Sequence, residues 1–186
     1  SDSSFGGWRT NGAGNKFNPN YGFGNINAGT FVDKVRDVAY VTEQKTILRS
    51  ETFDTPLTQI NIPDNDPDGV SRTMPAITAA EADQPLEGVE VKITFTHERL
   101  GDLTAKIVSP TGMQSRIMYS TSHLAAEQQD TTSVTKGSWT FLTNAFWGEN
   151  ATGSWTLNIA DIVAGKTGTW LGYNVTFLMG DMVMLT

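Results

Sequence analysis

The sequence predicts an all-β protein, an antiparallel jelly roll or β-sandwich, with an irregular N-terminal segment and one short helix. Three observations carry the prediction. Val89, Val91, Ile93 and Phe95 alternate with Glu90, Lys92, Thr94 and Thr96. That is the period-two pattern of a strand with one buried and one wet face. Further short strand candidates follow at 103–108, 115–119, 139–142, 155–162 and 170–179. Turn signals separate them: S-P-T-G at 109–112, G-E-N-A-T-G at 148–153 and A-G-K-T-G at 164–168. Many short strands at such spacing indicate a sandwich or jelly roll.

The elements can be justified in order. Residues 1–44 differ in character from 45–186. The run G-G-W-R-T-N-G-A-G-N-K-F-N-P-N-Y-G-F-G-N is dense in Gly and Asn, which marks turns and irregular backbone. A helix is expected over 28–40, where Ala28, Phe31, Val35, Val38 and Ala39 fall at helical spacing behind the N-cap candidate Asn27. Alone it is too small to bury that stripe, so it should dock on something. Weaker strands are expected at 45–53, 58–62 and 71–78. In the last strand Tyr173, Val175, Phe177 and Met179 share a face, while Trp170 has the opposite parity. A bulge near Leu171–Gly172 would bring Trp170 into the core as well.

Composition narrows the function classes. A chain of 186 residues suggests one domain, with or without an appendage, and can bury a core without staples. It has no cysteine, which excludes disulfides, thiolate zinc sites and a cysteine nucleophile. Lys plus Arg number 13 against 20 Asp plus Glu, a net charge of -7. Such a surface argues against nucleic acid as a partner. No apolar run approaches about 20 residues, so no membrane partner is expected. The start S-D-S-S-F-G-G-W lacks the basic and apolar regions of a signal peptide.

Certain segments are familiar in combination. T-H-E-R-L-G-D-L at 96–103 runs into T-A-K-I-V-S-P-T-G. G-S-W-T-L-N-I-A-D follows at 153–161 and G-T-W-L-G-Y-N-V-T-F at 168–177. Together, over about 45–181, they resemble the P domain (homo B domain) of proprotein convertases and kexin-like proteases of the subtilisin family. Upstream, W-R-T-N-G-A-G-N-K-F-N-P-N-Y-G-F-G-N-I-N-A-G at 8–29 looks like the end of the catalytic domain that precedes the P domain in that family. The resemblance implies two parts. Residues 1–44 would be the C-terminal remnant of a catalytic domain and linker, and 45–186 the P domain. It also implies a secreted bacterial serine endopeptidase as the parent, with the parent's catalytic domain as partner. The implied role is packing on that domain and stabilising it, with an influence on folding and calcium dependence. Gly12, Gly14, Gly22 and Gly24 allow the close backbone approach that packing against a catalytic core would need.

No catalysis by this chain alone is expected. His97 and His123 lie outside any H-G-T segment, and no serine lies in a G-T-S-x-A-x-P segment. The family's triad stations would fall upstream of residue 1. His97 is read as a structural histidine bonded to the turn leading to Asp102, and His123 as a loop residue with no chemical role. A carbohydrate- or substrate-binding module is the alternative function, since exposed aromatics on such folds stack on ligands. Trp147 is the leading candidate for exposure.

The acidic stretch N-I-P-D-N-D-P-D-G at 61–69 raises calcium as the one cofactor to consider. Asp64, Asp66, Asp68 and Gly69 match the first half of an EF-hand loop, but Pro75 stands where the last ligand should be, and no helix flanks it. Two readings remain: a calcium loop outside the EF-hand class, with Asp130 and Asp161 as further donors, or a solvated turn. The N-x-T sequons at Asn150 and Asn174 are read as incidental.

Overall fold

Alternation sets the centre of the molecule. In strand β6 (Leu86–His97) the side chains of Val89, Val91, Ile93 and Phe95 are fully buried, and those of Glu90, Lys92, Thr94 and Thr96 turn to the wetter side. The computed structural model describes residues 7–35, 43–53 and 55–180. Before β6 come β1 (Arg9–Thr10), β2 (Lys16–Phe17), α1 (Ala28–Val35), β3 (Lys45–Thr52), β4 (Ile60–Ile62) and β5 (Asp66–Thr73). After it come β7 (Leu103–Val108), β8 (Gln114–Met118), β9 (Val134–Thr143), β10 (Thr156–Asp161) and β11 (Gly168–Met179).

The strands form an antiparallel sandwich. One sheet has the order β3-β11-β6-β9, with β4 paired to β11 beyond the end of β3; the other has the order β5-β10-β7-β8. Between them lies a single apolar core. Tyr173, Val175, Phe177 and Met179 of β11 face Leu157 and Ile159 of β10 and Leu103, Ala105 and Ile107 of β7. Trp155 joins the two halves, with its ring 4.9 Å from both Phe146 and Phe177. Aromatic groups of this size dominate core burial.

The expected irregularity in β11 is present. Register with β6 shifts between Trp170 and Gly172, and Trp170 is fully buried. Its Nε1 donates to the Gly172 carbonyl at 3.0 Å. Gly172 adopts φ of +150°, and a Cβ there would lie 2.6 Å from the Glu51 carbonyl oxygen. Only glycine accommodates both demands.

Two strands differ by more than two residues from the sequence expectation. The strand placed at 71–78 instead runs Asp66–Thr73, so half of the acidic stretch is strand, not loop. Pro67 is tolerated because β5 is an edge strand, paired only with β10. The strand placed at 139–142 extends back to Val134, where Val134, Gly137 and Ser138 pair with β6 through backbone and the stretch gives no alternation to read.

Helix α1 starts as expected. Asn27 caps it, with Oδ1 accepting from Thr30 N at 3.1 Å and the carbonyl from Phe31 N at 2.9 Å. Val38 and Ala39 lie outside the described residues. Phe31 and Val32 remain 56 % and 51 % exposed, so this part of the stripe is not buried on the sandwich.

Candidate docking site

The Asn/Gly-rich strip lies on one end of the sandwich. Residues 145–149 form its seat. That turn is pinned to the start of β6, where Gly148 N donates to the Leu86 carbonyl and Leu86 N to the Glu149 carbonyl. The pinning leaves the carbonyls of Ala145 and Trp147 facing outward. Asn11 fills the gap and is 5 % exposed. Its Nδ2 donates to Ala145 O at 3.1 Å and Trp147 O at 2.9 Å, while its Oδ1 accepts from Ala13 N at 3.1 Å and Asn15 N at 3.0 Å. All the hydrogen-bonding capacity of the amide is used. Asn15 Nδ2 adds a bond to Trp147 O at 3.0 Å.

Glu149 completes the seat from beneath. Its carboxylate is buried, at 1 % exposure. One oxygen accepts from Gly12 N at 2.8 Å, the other from Thr111 Oγ1 at 3.0 Å, and Thr111 Oγ1 lies 2.8 Å from Ser109 Oγ. A Cβ on Gly12 would stand 2.5 Å from Thr111 Cγ2. Glu149 was not singled out from the sequence. Its only signal there is an acidic residue between Gly148 and Asn150, in a turn that reads as solvated.

Aromatic rings close the rim. Phe23 packs edge-on against both Phe17, at 5.2 Å, and Trp147, at 5.3 Å. Trp147 is exposed as the sequence suggested, at 43 %, but one edge is committed to the strip. Trp155 and Trp170 are core residues, and Trp139 stacks on Phe95 at 5.1 Å. The strip therefore packs on the sandwich.

His97 sits at the other end of β6 and is buried. Nδ1 lies 2.7 Å from the Arg99 carbonyl oxygen, and Nε2 lies 3.0 Å from Asp161 Oδ2. Val163 N donates to the other Asp161 oxygen at 3.0 Å. Asp161 is raised above the usual carboxylate value of 3.8, first by burial; the bonds from Val163 and His97 oppose the rise. Arg99 Nε reaches both oxygens of buried Asp102, at 2.6 and 2.7 Å. The H-E-R-L-G-D run thus builds a buried polar knot tying β6, β7 and β10 together. His123 is exposed and lines an open depression with Tyr119, Arg116 and Ile162.

Two of the three candidate calcium ligands, Asp64 and Asp66, accept backbone N–H groups. Both oxygens of Asp64 accept from Gly165 N, at 2.9 and 3.0 Å. Asp66 Oδ1 accepts from Asp68 N at 3.0 Å. Asp161 faces His97, and Asp130 Oδ1 accepts from Thr132 N at 3.0 Å. Among the described residues no three acidic or histidine side chains converge as a metal site would need. Asp64 instead ties the turn at 63–65 to the 162–167 loop.

Comparison with known proteins bears on the same elements. Residues 86–177 match the family model described as the proprotein convertase P-domain. The chain carries a proprotein convertase P domain. It is 35 % identical over 161 residues to rat proprotein convertase subtilisin/kexin type 6, covering 83 % of this chain and 16 % of the relative. It is 31 % identical over 154 residues to human proprotein convertase subtilisin/kexin type 4, covering 82 % and 19 %. Mouse furin matches at 28 % over 156 residues, covering 82 % and 18 %. The chain therefore spans less than a fifth of the length of these relatives. Among solved structures, the serine protease of Aeromonas sobria in complex with its chaperone aligns with a TM-score of 0.72 at 22 % identity, covering 95 % of this chain and 34 % of that one. The same protease without the chaperone gives 0.69 at 22 % identity, with 93 % and 33 % covered. That likeness covers nearly all of this chain and shows its fold.

Proposed function

We propose that this P domain is a non-catalytic accessory unit of a secreted subtilisin/kexin-type serine endopeptidase, packing on the catalytic domain and stabilising it. One observation carries the reading. The strip at 8–24, part of the 8–29 run that resembles the end of such a catalytic domain, is held on the sandwich by the buried Asn11 amide and the Glu149 carboxylate. A sandwich that binds only the folded form of its neighbour raises that neighbour's stability by linkage. In this reading residues 1–44 close the catalytic unit, 45–186 form the accessory unit, and the strip is the seam between them. In this reading the chain performs no chemical step of its own.

The test is deletion in a protease that contains the chain. Removing 45–186 should lower the melting temperature of the catalytic unit and the yield of active enzyme, while leaving the choice of cleavage site unchanged. A catalytic unit that folds, melts and cleaves equally well without those residues would overturn the proposal.

A further inference from the structure

The buried carboxylate of Glu149 stands outside any catalytic arrangement and was not visible in the sequence. Burying a carboxylate is costly unless its oxygens are bonded. Here one oxygen is satisfied by Thr111 of the sandwich and the other by the backbone N–H of Gly12, a residue of the strip. The seat is thus complete only when the strip is in place.

Its selectivity follows from the same geometry. A turn presented to Glu149 needs a free backbone N–H at the position of Gly12 and no side chain there, because Thr111 occupies that space. The preceding residue must place an amide NH2 between two carbonyls 145 and 147 while its amide oxygen closes the turn. Aspartate has the size but donates nothing to those carbonyls. Glutamine has the groups on a longer stem.

From this we infer that the cleft formed by Thr111, Ala145, Trp147 and Glu149 is a recognition site for an Asn-Gly turn, and that Glu149 is its specificity-determining residue. The inference rests on the geometry of the seat. It stands whether or not the strip belongs to a catalytic domain, so its failure and the failure of the accessory reading are separate results.

The experiment keeps the full chain. In Gly12→Ala the chain's own turn is kept from seating, and a synthetic peptide of residues 7–24 is offered in trans. The wild-type peptide should raise the melting temperature of Gly12→Ala, whereas peptides carrying Asn11→Asp or Gly12→Ala should not. Adding Glu149→Ala to the chain should abolish the response, and adding Glu149→Gln should preserve it. Glutamine still accepts from Gly12 N and can donate to the Thr111 hydroxyl, so rescue by Gln would separate recognition from general loss of packing. A second measurement uses the chain without the Gly12 change. Hydrogen exchange at the Gly12 amide should be at least about tenfold faster in Glu149→Ala than in wild type or Glu149→Gln. Equal exchange in all three chains, or a peptide response that survives Glu149→Ala, would overturn the assignment.

Discussion

Asp161 shows how burial sets the behaviour of a single residue. As a carboxylate in N-I-A-D it looked like a spare metal ligand. In the fold it is buried against His97, and burial raises it above 3.8. An acid raised in the folded state binds its proton more tightly there than in the unfolded chain. Its stabilising contribution is therefore complete below pH 3.8 and is lost as pH rises through the raised value. The slope is bounded at about 1.4 kcal/mol per pH unit for one proton. Urea unfolding across that window should show stability falling with pH from this source in wild type. In Asp161→Asn the component should vanish, because the amide does not titrate. Identical pH profiles for the two proteins would mean that Asp161 titrates alike in both states.

At the scale of elements, β11 decides whether the sandwich closes. It pairs with β3 and β4 on one side and β6 on the other, so its bulge is felt by three neighbours. The bulge exists because Gly172 takes φ of +150° beneath the Glu51 carbonyl. Alanine there meets both a strained backbone and a backbone oxygen it cannot displace. Gly172→Ala should destabilise by about 1–3 kcal/mol, read as a lower denaturant midpoint. It should also increase the exposure of Trp170, seen as a red shift in tryptophan emission. An unchanged midpoint would show that β3 yields to admit the methyl group. A further tether, from β3 to the loop before β6, lies at Arg49. Its Nη2 donates to Glu81 at 2.9 and 3.0 Å. Glu81, bonded first by Thr78 N and then by Arg49, is lowered to about 2. Its contribution holds above the ordinary value of 4.5 and is lost as pH falls toward 2.

For the molecule as a whole, the acidic turn poses the question of calcium. The spacing of Asp64, Asp66 and Asp68 kept calcium and a solvated turn open as alternatives. The structure spends Asp64 on Gly165 and Asp66 on Asp68 N. Among the described residues no third acidic or histidine side chain converges with them to complete a cation site. The melting temperature of the chain in EDTA should therefore equal that in added calcium. A rise with calcium that disappears in Asp66→Ala would re-establish a metal clamp at this turn.

Much of this protein was legible in its sequence. The strands at 89–96, 103–108 and 170–179, the cap at Asn27 and the bulge at Leu171–Gly172 follow from side-chain period and turn chemistry, which act over a few residues. The P-domain motifs were legible for the same reason, since each is a short local run. The polar strand start at 134–138 and the early start of β5 at Asp66 were not, because cross-strand backbone pairing, not side-chain alternation, makes those strands. The docking site was not legible either. Asn11 and the Trp147 carbonyl are 136 positions apart, and Gly12 and Glu149 are 137. A carboxylate becomes a buried anchor only when distant backbone covers it, so only the tertiary structure could decide that Glu149 differs from the solvated acids around it.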